Sequence, residues 1–484
     1  MQSLRQYRAI GRRVQDVHLK HASDSSLASA PGLVEAGSIK EGEDNSSTDK
    51  RLAGLNTPPG LEQNLRAEHI IVEWDGPDDS LNPRNWSMAR RLAAFAVIWI
   101  NVFALDWASA ADSQTSGKIA RSYHVSAEAE TLSSTMYTVG VAVGALFAGP
   151  ISESVGRNPI YIASRVLNVA FLLGVALAPN FGAHLAFRFL AGLGGSTLLC
   201  IHGASTADLF NPIERTWAWP TIALASFAGT ALPPTAGGWI AQSSISWRWA
   251  EWIAFILSGT VLLVTIFVLP ETFAPVLLSW KAKHLRQQTG NENYVSHLDL
   301  QASLRERLKT ALLRAWHMLV KEPIVILMGL WLIVVYIVIY SFLQGYGDIF
   351  GDTYGLGHGL EGTCFLAIDV GFFLFLCLVP VYYRLYKRKV YALQKAHGEQ
   401  PTDFQHLPGL DIPEPEYRLW PSVLVAPAFP ICLFWLGWTN RASISIWSSL
   451  GAVTLFGFCW AGIYVTVYLY ILDVCKFTPP QSMQ

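Results

Sequence analysis

The chain has 484 residues, of which 51% are hydrophobic, 12% aromatic and 15% charged, with a mean hydropathy of +0.31 and a formal net charge of -1. Soluble domains carry about 25% charged residues. This composition therefore excludes an ordinary soluble protein, and the absence of any basic domain excludes a nucleic-acid partner. Apolar runs of about 20 residues recur, which is the mark of a polytopic membrane protein. The cysteines Cys200, Cys364, Cys377, Cys432, Cys459 and Cys475 lie in or beside apolar segments and show no metal spacing and no disulfide framework. They read as small buried hydrophobes, with Cys475 a candidate for palmitoylation.

Residues 1–85 read as a polar cytoplasmic tail, disordered to about Asp79, with Ser, Asp, Glu and Gly mixed and no sustained apolar period. Within it, Leu4, Tyr7, Ile10, Val14 and Val17 alternate with Arg5, Arg8, Arg12 and Arg13 in the pattern of a basic amphipathic helix. No apolar core follows the early arginines, so there is no secretory signal peptide. The sequons at Asn45 and Asn85 fall on the side read as cytosolic, where glycans are not added. Asn82-Pro83 signals a turn, and Arg90-Arg91 anchors the first span.

About ten apolar segments are long enough to cross a bilayer: 91–111, 130–150, 160–178, 184–207, 218–241, 250–270, 323–344, 362–384, 420–439 and 444–471. They divide into an N-terminal six-helix bundle (86–270), a basic central loop (271–322), a second bundle (323–475) and a polar end (476–484). An inside N-terminus places Arg157, Arg215, the basic loop and the cluster from Arg384 to Lys395 in the cytosol, as the positive-inside rule requires.

Between the second and third segments runs GPISESVGRNP, Gly149 to Pro159. Glu153 and Arg157 stand at i,i+4 spacing, where an acid and a base pair. Gly149 and Gly156 permit close packing or a sharp turn, and Pro159 suits a first helical turn. This Gly–acid–Gly–Arg stretch resembles the loop between helices 2 and 3 of the major facilitator superfamily, where it serves as a cytoplasmic gate latch; the bland alternative is a charged turn that caps two helices. The Asn-Pro-x-Asn-Trp-Ser wording from Asn82 to Ser87 is similar to the start of helix 1 in fungal drug:proton antiporters of that family.

The fourth segment holds Arg188 in FRFLAGLGGSTLLC. A charge at bilayer depth costs at least about 2.5–3.5 kcal/mol and so faces a cavity or a partner. Its Arg-x-x-x-Gly pattern resembles a family motif whose arginine is linked to proton coupling; snorkelling at a helix end is the alternative. ADLFNPIERTWA resembles the turn between helices 4 and 5, where Asp208 and Arg215 are placed to pair or to cap. In the fifth segment GTALPPTAGG resembles the antiporter motif G-x-x-x-G-P-x-x-G-G: Gly229, Pro234, Gly237 and Gly238 match, and Pro233 replaces a glycine. The resemblance makes this a hinge that seals the bundle, and it favours export over uptake. LPETFAPVLLSWKAKHLRQQTG resembles the helix 6 exit of fungal polyamine and multidrug antiporters.

Among acids able to take a proton or a cationic substrate, Asp106 lies in the first segment and Asp369 deep in the eighth, as a cavity group or a structural hydrogen-bonding one. Glu251, beside Trp247, Arg248 and Trp249, reads as interfacial, and Arg165 in the third segment as a snorkelling residue. Trp99, Trp107, Tyr137, Phe227, Trp331, Tyr336 and Tyr340 supply either an aromatic cavity or an interfacial belt.

The chain is thus expected to be all α, with a two-bundle fold of about ten membrane helices where the family has twelve, and to read as truncated after YVTVYLYILD, which resembles helix 10. The resemblance implies proton-coupled efflux of a small amphipathic molecule, such as a secondary metabolite, toxin or drug, with polyamines second. It also implies a monomer in the plasma membrane whose partners are substrate, protons and lipid. No catalytic residue, metal or cofactor is called for. A sensor or degenerate remnant that transports nothing is the reading from another class, and gradient-dependent efflux from cells expressing this chain discriminates.

Overall fold

A computed structural model of the chain describes residues 2–27, 69–76, 78–301, 303–321, 323–396 and 415–477. In order, α1 is Gln2–Leu27, α2 Met88–Ala110, α3 Ser116–Tyr123, α4 Ala127–Glu130, α5 Leu132–Val155, α6 Arg157–Leu177, α7 Phe181–Leu209 and α8 Arg215–Gln242. Then come α9 Arg248–Val268, α10 Ala274–Thr289, α11 Leu304–Lys321, α12 Pro323–Gln344, α13 His358–Cys364, α14 Leu366–Ala396, α15 Trp420–Thr439 and α16 Ile446–Phe477. Two dipeptides, β1 Ile70–Ile71 and β2 Tyr294–Val295, pair in parallel.

The ten predicted apolar segments coincide with α2, α5–α9, α12, α14, α15 and α16. Among the described residues, eight helices are long and apolar enough to cross a membrane. Helix α8 falls outside that set because prolines, glycines and hydroxyl residues dilute its apolar content. The described apolar core of α12 is the shorter stretch Val325–Val338. Outward faces carry exposed Val143 and Leu146 on α5, and Leu263 and Phe267 on α9. Such a surface suits hydrocarbon rather than water.

Helix α7 packs on α5 and α6, while α9 packs on α2 and α6. In the second group, α16 packs on α14 and α15. The two groups meet along α8, which contacts α2 on one side and α13, α14 and α16 on the other. Aromatic stacking fills the middle of this seam: Phe227 lies 4.2 Å from Phe372 and 5.2 Å from Tyr464 between ring centroids. Near the start of α8, Trp219 lies 6.0 Å from Tyr468.

The expected tail is ordered at both of its described ends. Helix α1 docks on α10, burying Ile10 and Val14 against Leu277, and β1 pairs with β2 from the central loop. The amphipathic pattern was therefore the correct guide, but its apolar face meets protein, while Arg5, Arg8 and Arg12 face outward. Residues 28–68, with Asn45, and residues 478–484 lie outside the described residues, as does the side chain of Cys475. Asn82 caps the short 3-10 turn Pro83–Asn85 by accepting from the Arg84 amide, as the Asn-Pro signal anticipates.

Candidate functional site: a buried acid cluster beside the seam

Arg188 sits on α7 with its side chain wholly buried. One of its Nη2 contacts is Asp112 Oδ2 at 2.8 Å, just past the end of α2, and another is Glu251 at the start of α9. Nη1 donates to the Ala108 carbonyl at 2.7 Å. Ser133 and Ser134 donate to the two Asp112 oxygens at 2.6 and 3.2 Å. The same Ser133 hydroxyl lies 2.9 Å from His184 Nε2. Glu251 Oε2 has no hydrogen-bond partner among the described residues. Glu130 closes the cluster and is 4% exposed.

The charge count is uneven. One arginine pairs with Asp112 and Glu251, and Glu130 and His184 adjoin them, all buried. Buried carboxylates without matching cations are unstable as anions and become neutral by taking protons. A surplus of acids around one fixed cation is thus a proton-binding arrangement.

Arg165, on α6, corrects the snorkelling expectation: it is fully buried. Its donors reach the Asn101 side chain at 3.1 Å and its backbone carbonyl, Asn168 Oδ1 at 3.3 Å and Ser258 Oγ at 3.5 Å. Asn101 in turn donates to Thr265 at 2.8 Å. Three helices supply neutral acceptors to this cation.

Asp106 projects from α2 into the seam and accepts from Ser226 of α8. It is not a partner of Arg188, whose acids are Asp112 and Glu251. Asp369 belongs to α14 in the other group, and neither of its oxygens has a hydrogen-bond partner among the described residues. That removes its reading as a structural hydrogen-bonding group. Sequence reasoning also misassigned Glu251, which is 0% exposed rather than interfacial, and passed over Asp112. The signal available was polar residues recurring near helix ends: Asp112 just follows the C-terminal end of α2, while Ser133, His184 and Glu251 stand within the first turn of α5, α7 and α9.

In the stretch from Gly149 to Pro159, Gly156 separates α5 from α6, and the side-chain pairs differ from those expected. Gly156 has φ 105, a left-handed conformation, and a Cβ there would lie 2.7 Å from Glu271 Oε2. Gly149 faces open space and serves neither a turn nor a close contact. Pro159 falls in the first turn of α6, as read. Glu153 and Arg157 do not pair with each other: Arg157 binds Asp208 at 3.2 Å and Ser152 at 2.6 Å, whereas Glu153 faces Arg307 of α11 at 3.8 Å. Asp208 is thereby taken from Arg215, which donates to the carbonyls of Phe210 and Ala207. Glu271 caps α6, accepting from the Arg157 and Asn158 amides at 3.0 and 3.1 Å. Burial pushes its carboxyl above the ordinary glutamate range, and these amides, with those of Phe273 and Thr272, pull against the rise.

At the antiporter-like stretch, α8 runs unbroken through Pro233 and Pro234, both buried. A Cβ on Gly229 would lie 2.7 Å from the Phe103 carbonyl, one on Gly238 2.4 Å from the His358 carbonyl and one on Gly237 3.2 Å from Gln114. Thr235 donates to the Gly362 carbonyl at 2.9 Å. Small residues here let two helices approach backbone to backbone.

Residues 91–482 match the family model for the Major Facilitator Superfamily. The MFS-type transporter kojT of Aspergillus flavus is 38% identical over 507 residues, covering 98% of this chain and 87% of that protein. Efflux pump radE of Floropilus chiversii is 33% identical over 460 residues, covering 93% and 78%. The citrinin biosynthesis cluster MFS transporter mrr1 of Monascus ruber is 32% identical over 405 residues, covering 83% and 77%. Among solved structures, the proton:xylose symporter XylE superposes with a TM-score of 0.53 at 15% identity, over 81% of this chain and 83% of that one, a likeness of fold. With a seam between two helix groups, buried charges beside it and these matches, the chain belongs to the major facilitator superfamily of membrane transporters.

Proposed function

We propose that this transporter exports a small amphipathic molecule in exchange for protons, in the manner of the fungal drug:proton antiporters, as a monomer in the plasma membrane with its N-terminus in the cytosol. The observation that carries the proton coupling is the cluster in which Arg188 serves Asp112 and Glu251 together, with Glu130 adjoining. A proton entering this cluster neutralises a surplus carboxylate, and its release restores the anion. Each state biases the packing of α2, α5, α7 and α9, whose ends the cluster ties together. Asp106 and Asp369 stand on opposite sides of the seam as acids available to a cationic or hydrogen-bonding guest. Phe227, Trp460 and Tyr464 give that guest an aromatic wall. The buried stretch from Gly229 to Gly238 acts as the hinge, and the Gly156 loop with Arg157 as the cytosolic gate.

Relatives named as an efflux pump and as a biosynthesis-cluster transporter support export of a secondary metabolite. The test is efflux of a fluorescent amphipathic dye from cells expressing the whole chain. Export that collapses with a protonophore, and is lost in Glu251→Gln while the protein still reaches the membrane, is the expected result. Export indifferent to the gradient contradicts the coupling.

A further inference from the structure

A cavity of 380 Å³ opens between the N-terminal segment and the central loop. Helix α1 lines it with Arg13 and Val14, the stretch from β1 onward with Val72 and Asp75, and α10 with Lys281 and Leu285. Thr289 continues the four-residue spacing of the α10 pair, so one face of that helix forms a wall. Val14 and Val72 are buried, and Leu81 and Leu285 pack beside Val14. The charges in the wall are matched. Lys281 Nζ lies 2.5 Å from Asp75 Oδ1 and donates to the Glu73 carbonyl at 3.0 Å. Arg13 Nη1 lies 3.3 Å from Asp79 Oδ1 and also reaches Ser80. The remaining acid, Glu73, is exposed, where water and salt screen it. None of these residues belongs to the seam or to the Arg188 cluster, and those of α1 and β1 precede residue 91, where the family match begins.

We propose that this cavity binds a small uncharged amphipathic molecule, one with an aromatic or aliphatic body and a hydroxyl or carbonyl group. Pockets for small ligands run from about 300 to 1,000 Å³, and this one falls at the lower end of that range. The paired charges select against ions. A charged ligand would leave water to meet Arg13 and Lys281 already matched by Asp79 and Asp75, and its own charge would go uncompensated. A neutral ligand avoids that cost and covers Val14, Val72 and Leu285. Its polar group has partners at hand. Among the described residues Arg13 hydrogen-bonds through Nη1 alone, which leaves Nε and Nη2 as donors to a carbonyl. Asp75, 55% exposed, offers its second oxygen to a hydroxyl. Occupancy braces α1 against α10. The first turns of α1 carry that bracing onward: Ser3 donates to Asn158 Oδ1 at 2.5 Å, and Gln6 exchanges bonds of 3.0 and 3.2 Å with the Glu271 backbone. Binding here does not depend on the transporter reading.

The test is photolabelling of the purified full chain with para-hydroxybenzophenone, which is uncharged at slightly acidic pH and carries both a hydroxyl and a carbonyl. Adducts are located by peptide mass. Saturable labelling of the peptides holding Val72 and Leu285 is expected, displaced by excess para-phenylphenol. The anionic probe para-benzoylbenzoate should label the same peptides about tenfold less. Thr289→Trp places an indole at the cavity from a half-buried position near the end of α10, and should lower the labelling about tenfold. Hydrogen exchange across α1 should slow when para-phenylphenol is added. Labelling that does not saturate, or that falls on the spanning helices alone, overturns the site on the wild-type chain, whether or not the variant folds. So does labelling unchanged in a folded Thr289→Trp. Equal labelling by the anionic probe overturns the uncharged class, and unchanged exchange in α1 beside saturable labelling overturns the bracing.

Discussion

Arg188 and Arg165 are both fully buried in the first helix group, and their surroundings are opposite. Arg188 is shared by two carboxylates, with a third buried acid adjoining. Arg165 is held by asparagine and serine oxygens and a backbone carbonyl. Under the proposed coupling, the difference separates a chemical site from a scaffold. Amide and hydroxyl oxygens take no proton near neutral pH, so the Arg165 set has one charge state. The acids around Arg188 have several, and only a site with several can couple to a proton gradient.

Substitutions break or sharpen that contrast. The largest effect is expected at Arg188→Ala, which leaves Asp112 and Glu251 buried without their cation. A loss of about 3–5 kcal/mol in stability, with transport abolished and membrane insertion retained, is checked by thermal unfolding in detergent alongside efflux. Next, Arg165→Met removes a cation whose hydrogen-bond acceptors are all neutral, with Asp106 the acid nearby. It should cost about 1–3 kcal/mol and leave the gradient dependence of efflux intact; loss of coupling in this variant erases the distinction. Gly238→Ala drives a methyl group into the His358 carbonyl. Overpacking of this kind costs about 1–3 kcal/mol, and labels across the Gly238 end of α8 should report a wider seam. The smallest effect belongs to Glu153→Gln, whose acid is half exposed and 3.8 Å from Arg307. A change of less than about 1 kcal/mol in unfolding is expected.

The helices were legible because each apolar run of membrane length must satisfy its own backbone, and a helix does so within the segment. The prolines of α8 were legible through the resemblance of GTALPPTAGG to the antiporter motif, and the helix runs unbroken through them where they are buried. Pairings were much less legible. Spacing placed Glu153 beside Arg157, yet Gly156 breaks the helix between them and sends Arg157 to Asp208. Glu251 looked interfacial because tryptophans and Arg248 flank it. What decides its burial is that α9 meets α6 and α2 on that face, which one segment cannot reveal. Arg165 was misread similarly, since its acceptors Asn101 and Ser258 come from segments 64 and 93 residues away. The order of α1 was hidden in a polar composition, because its apolar face is narrow and its partner α10 lies beyond the sixth span.

The most direct test reconstitutes the whole chain in liposomes and follows a fluorescent amphipathic dye while an imposed pH gradient is collapsed. The account predicts uphill dye movement opposite to proton flow in the wild-type chain and none in Arg188→Ala or Glu251→Gln. Uphill movement that persists unchanged in Glu251→Gln would contradict the assignment of proton coupling to the Arg188 cluster.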